Sequence, residues 1–256
     1  MARRVLGVLV IGAALAPAGA VAQALTAEQI AMQLVAHDRE RQAALDGYGS
    51  QRTYRMEYHG PVGERHAEMV VRMEFTAPDR KRFTVLSETG STIFCNQVLR
   101  RLMEGEQEGA LEENHQRAML SPTNYRLKLL GTEVVDGVNA WVLDVSPWVE
   151  SRFTYKGRVW VSMMDFAVVR IVGSPARNPT WLMGSAHFDY RYGRSAGEPG
   201  EAFWLPERSV TVSHLRIGGE ITLTVDYGNY QIAARPGGAS TEAVNAGLRK
   251  QADGQP

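Results

Sequence analysis

Cysteine is almost absent from this sequence. Cys95 is the single one in 256 residues, so an internal disulfide is excluded. Because Cys95 lies within the apolar stretch "STIFCNQVL", we expect a small buried side chain rather than a reactive thiol.

Long apolar runs are also scarce. The one that stands out runs from Val5 to Ala16 and is shorter than the ~20 residues that a membrane-spanning helix needs. We therefore expect no membrane span in the mature chain.

The flanks of this run are typical of a secretory signal peptide. Arg3 and Arg4 precede it, and two overlapping A-x-A patterns end at Ala22 and Ala24. We predict a signal peptide over residues 1–22, with cleavage after Ala22 or Ala24. No cysteine stands at the cleavage site, so we expect an exported protein of the bacterial periplasm without a lipid anchor.

An excess of one charge is missing too. The chain has 28 basic and 28 acidic residues; without Arg3 and Arg4 the balance becomes 26 against 28, a net charge of −2. Nucleic-acid binding calls for a basic patch or stripe, so we do not expect a nucleic-acid partner.

Catalytic signatures are equally rare. "GRSAG" matches the G-x-S-x-G pattern around Ser195, but a nucleophile elbow needs a helix after the serine. The following "EPGEAFWLP" has two prolines and no helical period. His59 and His66 flank one predicted turn but lack a third metal ligand. We predict no enzyme, metal site or cofactor, and keep hydrolysis through Ser195 as an alternative.

What the sequence has instead is a period of two. "ITLTVDYGNY", residues 221–230, alternates apolar and polar side chains, as a strand with one buried face does. Similar segments recur between turn signals and predict about ten strands in one curved antiparallel sheet, a sandwich or a barrel. Three lie in "RTYRMEYHG", "RHAEMVVRMEF" and "KRFTVLSETG", and seven lie at 126–135, 140–145, 153–162, 167–173, 185–192, 203–216 and 220–231.

Two segments have helical patterns. The first, "TAEQIAMQLVAHDRERQAAL", begins at Thr26 as N-cap with Gln29 completing a capping box, and Gly47 and Gly49 are expected to end it. The second interrupts the strands at about residues 96–120. Residues 23–232 therefore form one predicted domain, and the small polar segment 233–256 a disordered tail. The apolar stripe of the first helix comprises Ile30, Leu34, Val35 and Leu45.

Methionine and tryptophan are abundant. Ten methionines and five tryptophans favour a lining that adapts to variable apolar ligands, although an ordinary core is the alternative. A broad sheet with few helices also leaves part of one face uncovered.

Parts of the sequence resemble a known family. "VWV…DFAVVRI.G.PA" between residues 159 and 176, "FWLP" at 203–206 and "LTVDY..Y" at 223–230 are similar to the C-terminal half of LolA/LolB-like outer-membrane lipoprotein-sorting proteins. The resemblance covers about a third of the chain clearly. It implies a mainly β fold: a half-open antiparallel β-barrel with an N-terminal helix and a helical lid over an apolar cavity.

The resemblance also implies a function. Family members carry the acyl chains of lipoproteins between an inner-membrane transporter and an outer-membrane acceptor, and the missing cysteine favours the soluble, monomeric carrier type. The family's lid-closing arginine is not matched to a position here. The predicted lipid-binding residues are Met69, Met73, Phe75, Trp141, Leu143, Trp160, Phe166, Val225 and Tyr227, and the predicted lid residues are Leu99, Leu102, Met103, Met119 and Leu120.

Burial of acyl chains explains why such a carrier needs no covalent chemistry. Each methylene moved from water into an apolar cavity gains about 0.8 kcal/mol, so a sixteen-carbon chain gains roughly 10 kcal/mol or more. A periplasmic lipid-sensing or interaction module on the same scaffold is the alternative interpretation.

Overall fold

The computed structural model describes residues 24–178, 180–196 and 202–235. The predicted signal peptide and residues 236–256 of the predicted tail lie outside the described residues. None of the helices in these ranges is long and apolar enough to cross a membrane.

Ten antiparallel strands form one unclosed sheet, which confirms the mainly β, half-open architecture. The order across the sheet is β3-β2-β1-β10-β9-β8-β7-β6-β5-β4. Strands that follow one another in sequence pair with each other, except that β3 and β4 form the two edges of the sheet; β1 and β10, the first and last strands, also pair. The strands are β1 (Leu45–His59), β2 (Arg65–Thr76), β3 (Arg80–Gly90), β4 (Tyr125–Val135), β5 (Val138–Pro147), β6 (Tyr155–Ser162), β7 (Val168–Pro175), β8 (Met183–Ala196), β9 (Ala202–Leu215) and β10 (Glu220–Ala234).

The N-terminal helix α1 spans Ala27–Ala43. Its predicted capping box is present: the Gln29 backbone N–H donates to Thr26 Oγ1 at 3.2 Å, and the Thr26 N–H donates to Gln29 Oε1 at 2.9 Å. The helix buries a stripe of small and aliphatic side chains at Ala27, Ile30 and Leu34.

The end of α1 differs from the sequence prediction. Leu45 belongs to β1 rather than to the helical stripe, and Gly47 and Gly49 lie inside that strand instead of ending the helix. At Gly47 a Cβ would collide with the Phe75 carbonyl oxygen of the neighbouring β2. Glycine is needed there for close strand contact, which a sequence alone does not distinguish from a helix stop.

The second helical region lies between β3 and β4, where the sequence predicted it. We call residues Thr92–Ala118 the lid. It comprises α2 (Thr92–Phe94), a π-helical segment (Cys95–Leu99), α3 (Arg100–Ala110) and α4 (Glu112–Ala118). Cys95 is buried in the π-helical segment, as expected from its apolar surroundings.

One row of paired residues across the sheet defines the face that the helices cover, which we call the inner face. Residues in register across antiparallel strands point to the same side. The row reads Met69, Tyr54, Val225, Ser209, Tyr190, Ile171, Val159, Leu143 and Leu129, from β2 to β4. Its two ends are apolar and its centre, on β9 and β8, is polar.

Candidate ligand-binding site

Two separate helical covers lie on the inner face. The lid packs Leu99 and Met103 against Met69 and Val225 of β2 and β10. Helix α1 packs Ile30 and Leu34 against Leu143 and other residues of β4 to β7. Strands β8 and β9 lie between these two covered halves in the sheet order.

Tyrosine side chains line the sheet between the two covers. Tyr190, Tyr192 and Tyr227 each keep part of their surface accessible to solvent. Desolvation nevertheless raises the pKa of all three phenols, and that of Tyr227 lies well above its usual range. All three side chains lie on the inner face, on the strip of sheet between the lid and α1. We call this region the tyrosine hollow.

Small polar groups complete the floor of the tyrosine hollow. Ser209 and Ser213 of β9 are buried on the inner face, and the Ser209 hydroxyl lies 3.4 Å from the Tyr227 hydroxyl. Phe188 adds an aromatic ring 5.0 Å from that of Tyr190. The lining is therefore amphipathic rather than purely apolar.

A buried arginine lies at the border between the tyrosine hollow and the lid. Arg52 of β1 has 2 % of its surface exposed and pairs in register with Tyr227. Its Nη1 group donates to Glu106 Oε2 of α3 at 2.6 Å and to the Tyr54 hydroxyl at 3.4 Å. The guanidinium carbon lies 4.9 Å from the centre of the Tyr227 ring, a cation–π contact.

Charge around Arg52 is unevenly balanced. Lys81 Nζ lies 3.7 Å from the same Glu106 carboxylate, so two cations share one anion. Burial lowers the pKa of Lys81, and the neighbouring Arg52 acts in the same direction. The Glu106 carboxylate in turn contributes, after burial, to the raised pKa of Tyr190.

The predicted lining residues fall into three groups. Met69, Val225 and Tyr227 lie under or beside the lid, with Met73 fully buried on the same face of β2. Phe75 packs at one end of the sheet against Tyr48.

The second group lies under α1. Leu143 and Trp141 share the inner face of β5, and the Phe166 ring stacks on that of Trp141 at 5.1 Å between centroids. Phe166 also stacks on His37 of α1 at 5.4 Å. The expected single cavity lining is thus divided between two covers.

Trp160 alone forms the third group, because it lies on the outer face, opposite to the expectation. It packs with Val142 and Val169 and donates from Nε1 to Glu133 at 2.8 Å. Its neighbours Val159 and Val161 are the β6 residues that point to the inner face.

The predicted lid residues also differ in their contacts. Leu99 and Met103 are buried against the sheet, whereas Leu102 is 37 % exposed. Met119 and Leu120 follow α4, and Leu120 packs with the α1 cluster rather than with the lid cluster.

The enzyme alternative finds no geometric support in the described residues. Ser195 lies within β8 and pairs with Phe203 of β9, so it is part of a ladder rather than of an elbow. Across residues 24–178, 180–196 and 202–235, no group of three His, Cys, Asp or Glu side chains is placed to hold a metal ion.

Two depressions occur besides the tyrosine hollow, and the larger one reaches it at Tyr192. One of ≈ 320 Å³ is lined by Asp189, Arg191, Arg208 and Val210, and the charged side chains make ion pairs within the sheet. Another of ≈ 790 Å³ lies around Asp165 and Trp204. The smaller depression is lined mainly by charged side chains, so it suits an apolar ligand less well than the inner face.

Arg52, Glu106 and Tyr190 are the site residues that the sequence analysis missed. Arg52 had a signal: in "RTYRMEYH" it shares the two-residue phase of Tyr54, Met56 and Tyr58, so a charge points inward. Nothing in the sequence joins it to Glu106, which is 54 positions away.

Comparison with known proteins gives matches in structure only. No family model and no curated protein matches the sequence. A LolA superfamily protein from Nitrosomonas europaea matches with 15% identity over 83% of this chain and 96% of that one, with a TM-score of 0.37. A DUF1329 family protein from Desulfovibrio piger matches with 13% identity over 81% and 93%, with a TM-score of 0.40.

A third match is a domain from Vibrio parahaemolyticus described as an outer-membrane lipoprotein-sorting protein. It has 12% identity over 85% of this chain and 97% of that one, with a TM-score of 0.42. At these identities and TM-scores the matches assign no function by themselves. This chain is thus similar in structure, at low identity, to LolA superfamily and lipoprotein-sorting proteins.

Proposed function

We propose that this protein is a periplasmic carrier that binds acyl chains of a lipid or lipoprotein on its inner face, for transfer toward the outer membrane. The observation that carries the proposal is the tyrosine hollow, a partly exposed aromatic strip of the inner face between two helical covers. The resemblance of the C-terminal sequence to lipoprotein-sorting proteins favours the same function. The partners would be the acyl cargo, an inner-membrane donor and an outer-membrane acceptor.

Opening of the lid would enlarge the binding surface. With the lid closed, Leu99 and Met103 cover the apolar residues Met69 and Val225. An acyl chain can take the place of these lid side chains, because both are flexible and apolar. Each methylene it buries contributes about 0.8 kcal/mol, so a long chain offsets the contacts that the lid gives up.

Water weakens the exposed ion pairs that the lid makes with the rest of the chain. Arg100–Glu88 and Arg152–Glu108 are both about half exposed, and such surface pairs contribute little. Arg52–Glu106 is the pair with a fully buried member. The proposed carrier therefore has one main polar contact to break when cargo enters.

Photocrosslinking in the periplasm tests the proposal. A photoreactive amino acid replaces Tyr190 in the tyrosine hollow or, as the matched control, Thr224 on the outer face of β10. We expect lipid or acylated protein to crosslink at position 190 and not at position 224. Native mass spectrometry of the unsubstituted protein purified from the periplasm should show bound lipid. Absence of lipid in both measurements would contradict the carrier function.

A further inference from the structure

Two buried polar groups next to the tyrosine hollow lack partners. Arg52 Nε and Ser50 Oγ have no hydrogen-bond partner among the described residues. Both side chains are almost fully buried, with 2 % and 3 % of their surface exposed. They stand two residues apart on β1 and therefore point to the same side of the sheet. Unpaired buried donors are costly and mark a place where an acceptor is expected.

The cations at this place depend on the lid for their counter-charge. The ion pairs of Arg52 and Lys81 within the described residues both go to Glu106 of α3. If the lid swings away, Glu106 leaves with it, and both cations stay on the sheet. Lid opening thus removes the counter-charge of both cations, and an anionic group that reaches Arg52 would take over this role in place of water.

Arginine presents a suitable group for this exchange. Its planar guanidinium has several N–H donors that match carboxylate and phosphate oxygens. Glu106 occupies Nη1, and Nε has no partner among the residues that the structure describes. The Ser50 hydroxyl supplies one more donor, two residues away on the same face of β1.

We infer that Arg52, Lys81 and Ser50 form a headgroup subsite for an anionic amphiphile. Its carboxylate or phosphate would replace Glu106 when the lid opens, and its alkyl chain would lie along the tyrosine hollow over β10, β9 and β8. This inference rests on the proposed function and specifies its ligand class: cargo with an acidic group at one end of an alkyl chain.

A comparison of matched ligands tests the subsite. Binding of dodecanoate, dodecyl phosphate and dodecanol to the delipidated protein is measured by calorimetry at neutral pH, where both acids are ionised. We expect the two acids to bind at least about tenfold more tightly than the alcohol. A preference for only one of the acids identifies the headgroup source.

Substitutions test which side chains produce the preference for the two acids over the alcohol. Lys81→Gln and Arg52→Gln should each reduce the ratio of acid affinity to dodecanol affinity. Glu106→Gln should strengthen binding of the acids more than binding of dodecanol, because a competing carboxylate is removed in addition to the loosening of the lid. Arg55→Gln on the outer face is the control and should change none of the affinities. If Arg52→Gln does not fold by circular dichroism, the Lys81 and Glu106 variants decide.

The failures of the two proposals are distinguishable. If all three ligands bind equally well, the headgroup subsite is wrong and the alkyl-binding hollow stands. If none of the three binds, the carrier function fails as well. Unchanged acid binding in the Lys81 and Glu106 variants would also overturn the subsite.

Discussion

Glu106 is a partly exposed carboxylate, but its ion-pair partner Arg52 is buried in the sheet. The Glu106 side chain is 31 % accessible, while that of Arg52 is 2 % accessible, and their closest atoms are 2.6 Å apart. Burial lowers the pKa of the Arg52 guanidinium, but the Glu106 carboxylate, together with Tyr54 and Tyr227, raises it above its ordinary value. Arg52 is therefore charged and depends on this one carboxylate.

Replacing Glu106 by glutamine should loosen the lid without unfolding the sheet. We expect Glu106→Gln to cost about 2 kcal/mol, less than for a fully buried pair because Glu106 is partly hydrated. Amides of α3 should then exchange hydrogen roughly thirtyfold faster. Hydrogen exchange measured by mass spectrometry checks this.

Glu104→Gln on the same helix is the control. Glu104 is exposed, so this variant removes the same charge without touching Arg52. Equal exchange rates in the two variants would show that the Arg52–Glu106 pair does not hold the lid.

Helix α3 contains two glycines that weaken it, Gly105 and Gly109. A Cβ at Gly105 would meet no atom within 4 Å. We expect Gly105→Ala to stabilise α3 by about 1 kcal/mol and to slow its hydrogen exchange about fivefold. Gly228→Ala in β10, where a Cβ also meets nothing within 4 Å, should leave the lid amides unchanged. Faster exchange in the Gly105 variant would contradict the assigned helical packing.

The elements themselves were largely predictable, because alternation marks a strand whose two faces differ. All ten strands and both helical regions occur close to the predicted places. It was harder to predict which side chains of each strand point to the inner face. In β6, residues Val159 to Ser162 are all buried, so the sequence shows no alternation there and Trp160 was placed on the wrong side.

The site was less predictable than the fold, because its parts come from distant segments. Met69, Leu99 and Met103 do lie together, since apolar residues of a lid and a sheet must meet. The tyrosine hollow depends instead on what the helices leave uncovered. Which residues stay uncovered is decided by how α1 and the lid pack on the sheet, and no local sequence pattern predicts that packing.

At the scale of the whole molecule, tyrosine burial predicts a weakness in alkali. Burial raises the pKa of eight tyrosines; that of Tyr125 reaches about 12, against an ordinary value of about 10. Above pH ~10 the unfolded chain therefore loses protons that the folded protein keeps. The tyrosines' contribution to the free energy of unfolding is fully present below pH ~10 and decreases as the pH rises further.

Chemical denaturation at a series of pH values, with tyrosinate absorbance, checks this expectation. The unfolding midpoint should fall steeply above pH ~10, and most tyrosinate should form only when the protein unfolds. Tyr190→Phe removes one of these groups and should make the fall shallower. Ionisation of most tyrosines near their ordinary pKa in the folded protein would contradict the buried environments described above.

The pairing of β1 with β10 has a consequence for how the molecule is made. Strands β1 to β3 and strands β4 to β9 are joined in the sheet only through β10. A chain that emerges N-terminus first, from a ribosome or a translocation channel, releases this connecting strand last. Until residues 220–234 emerge, no strand pairs with both sub-sheets. The inner face that would bind cargo can therefore form only at the last step of folding.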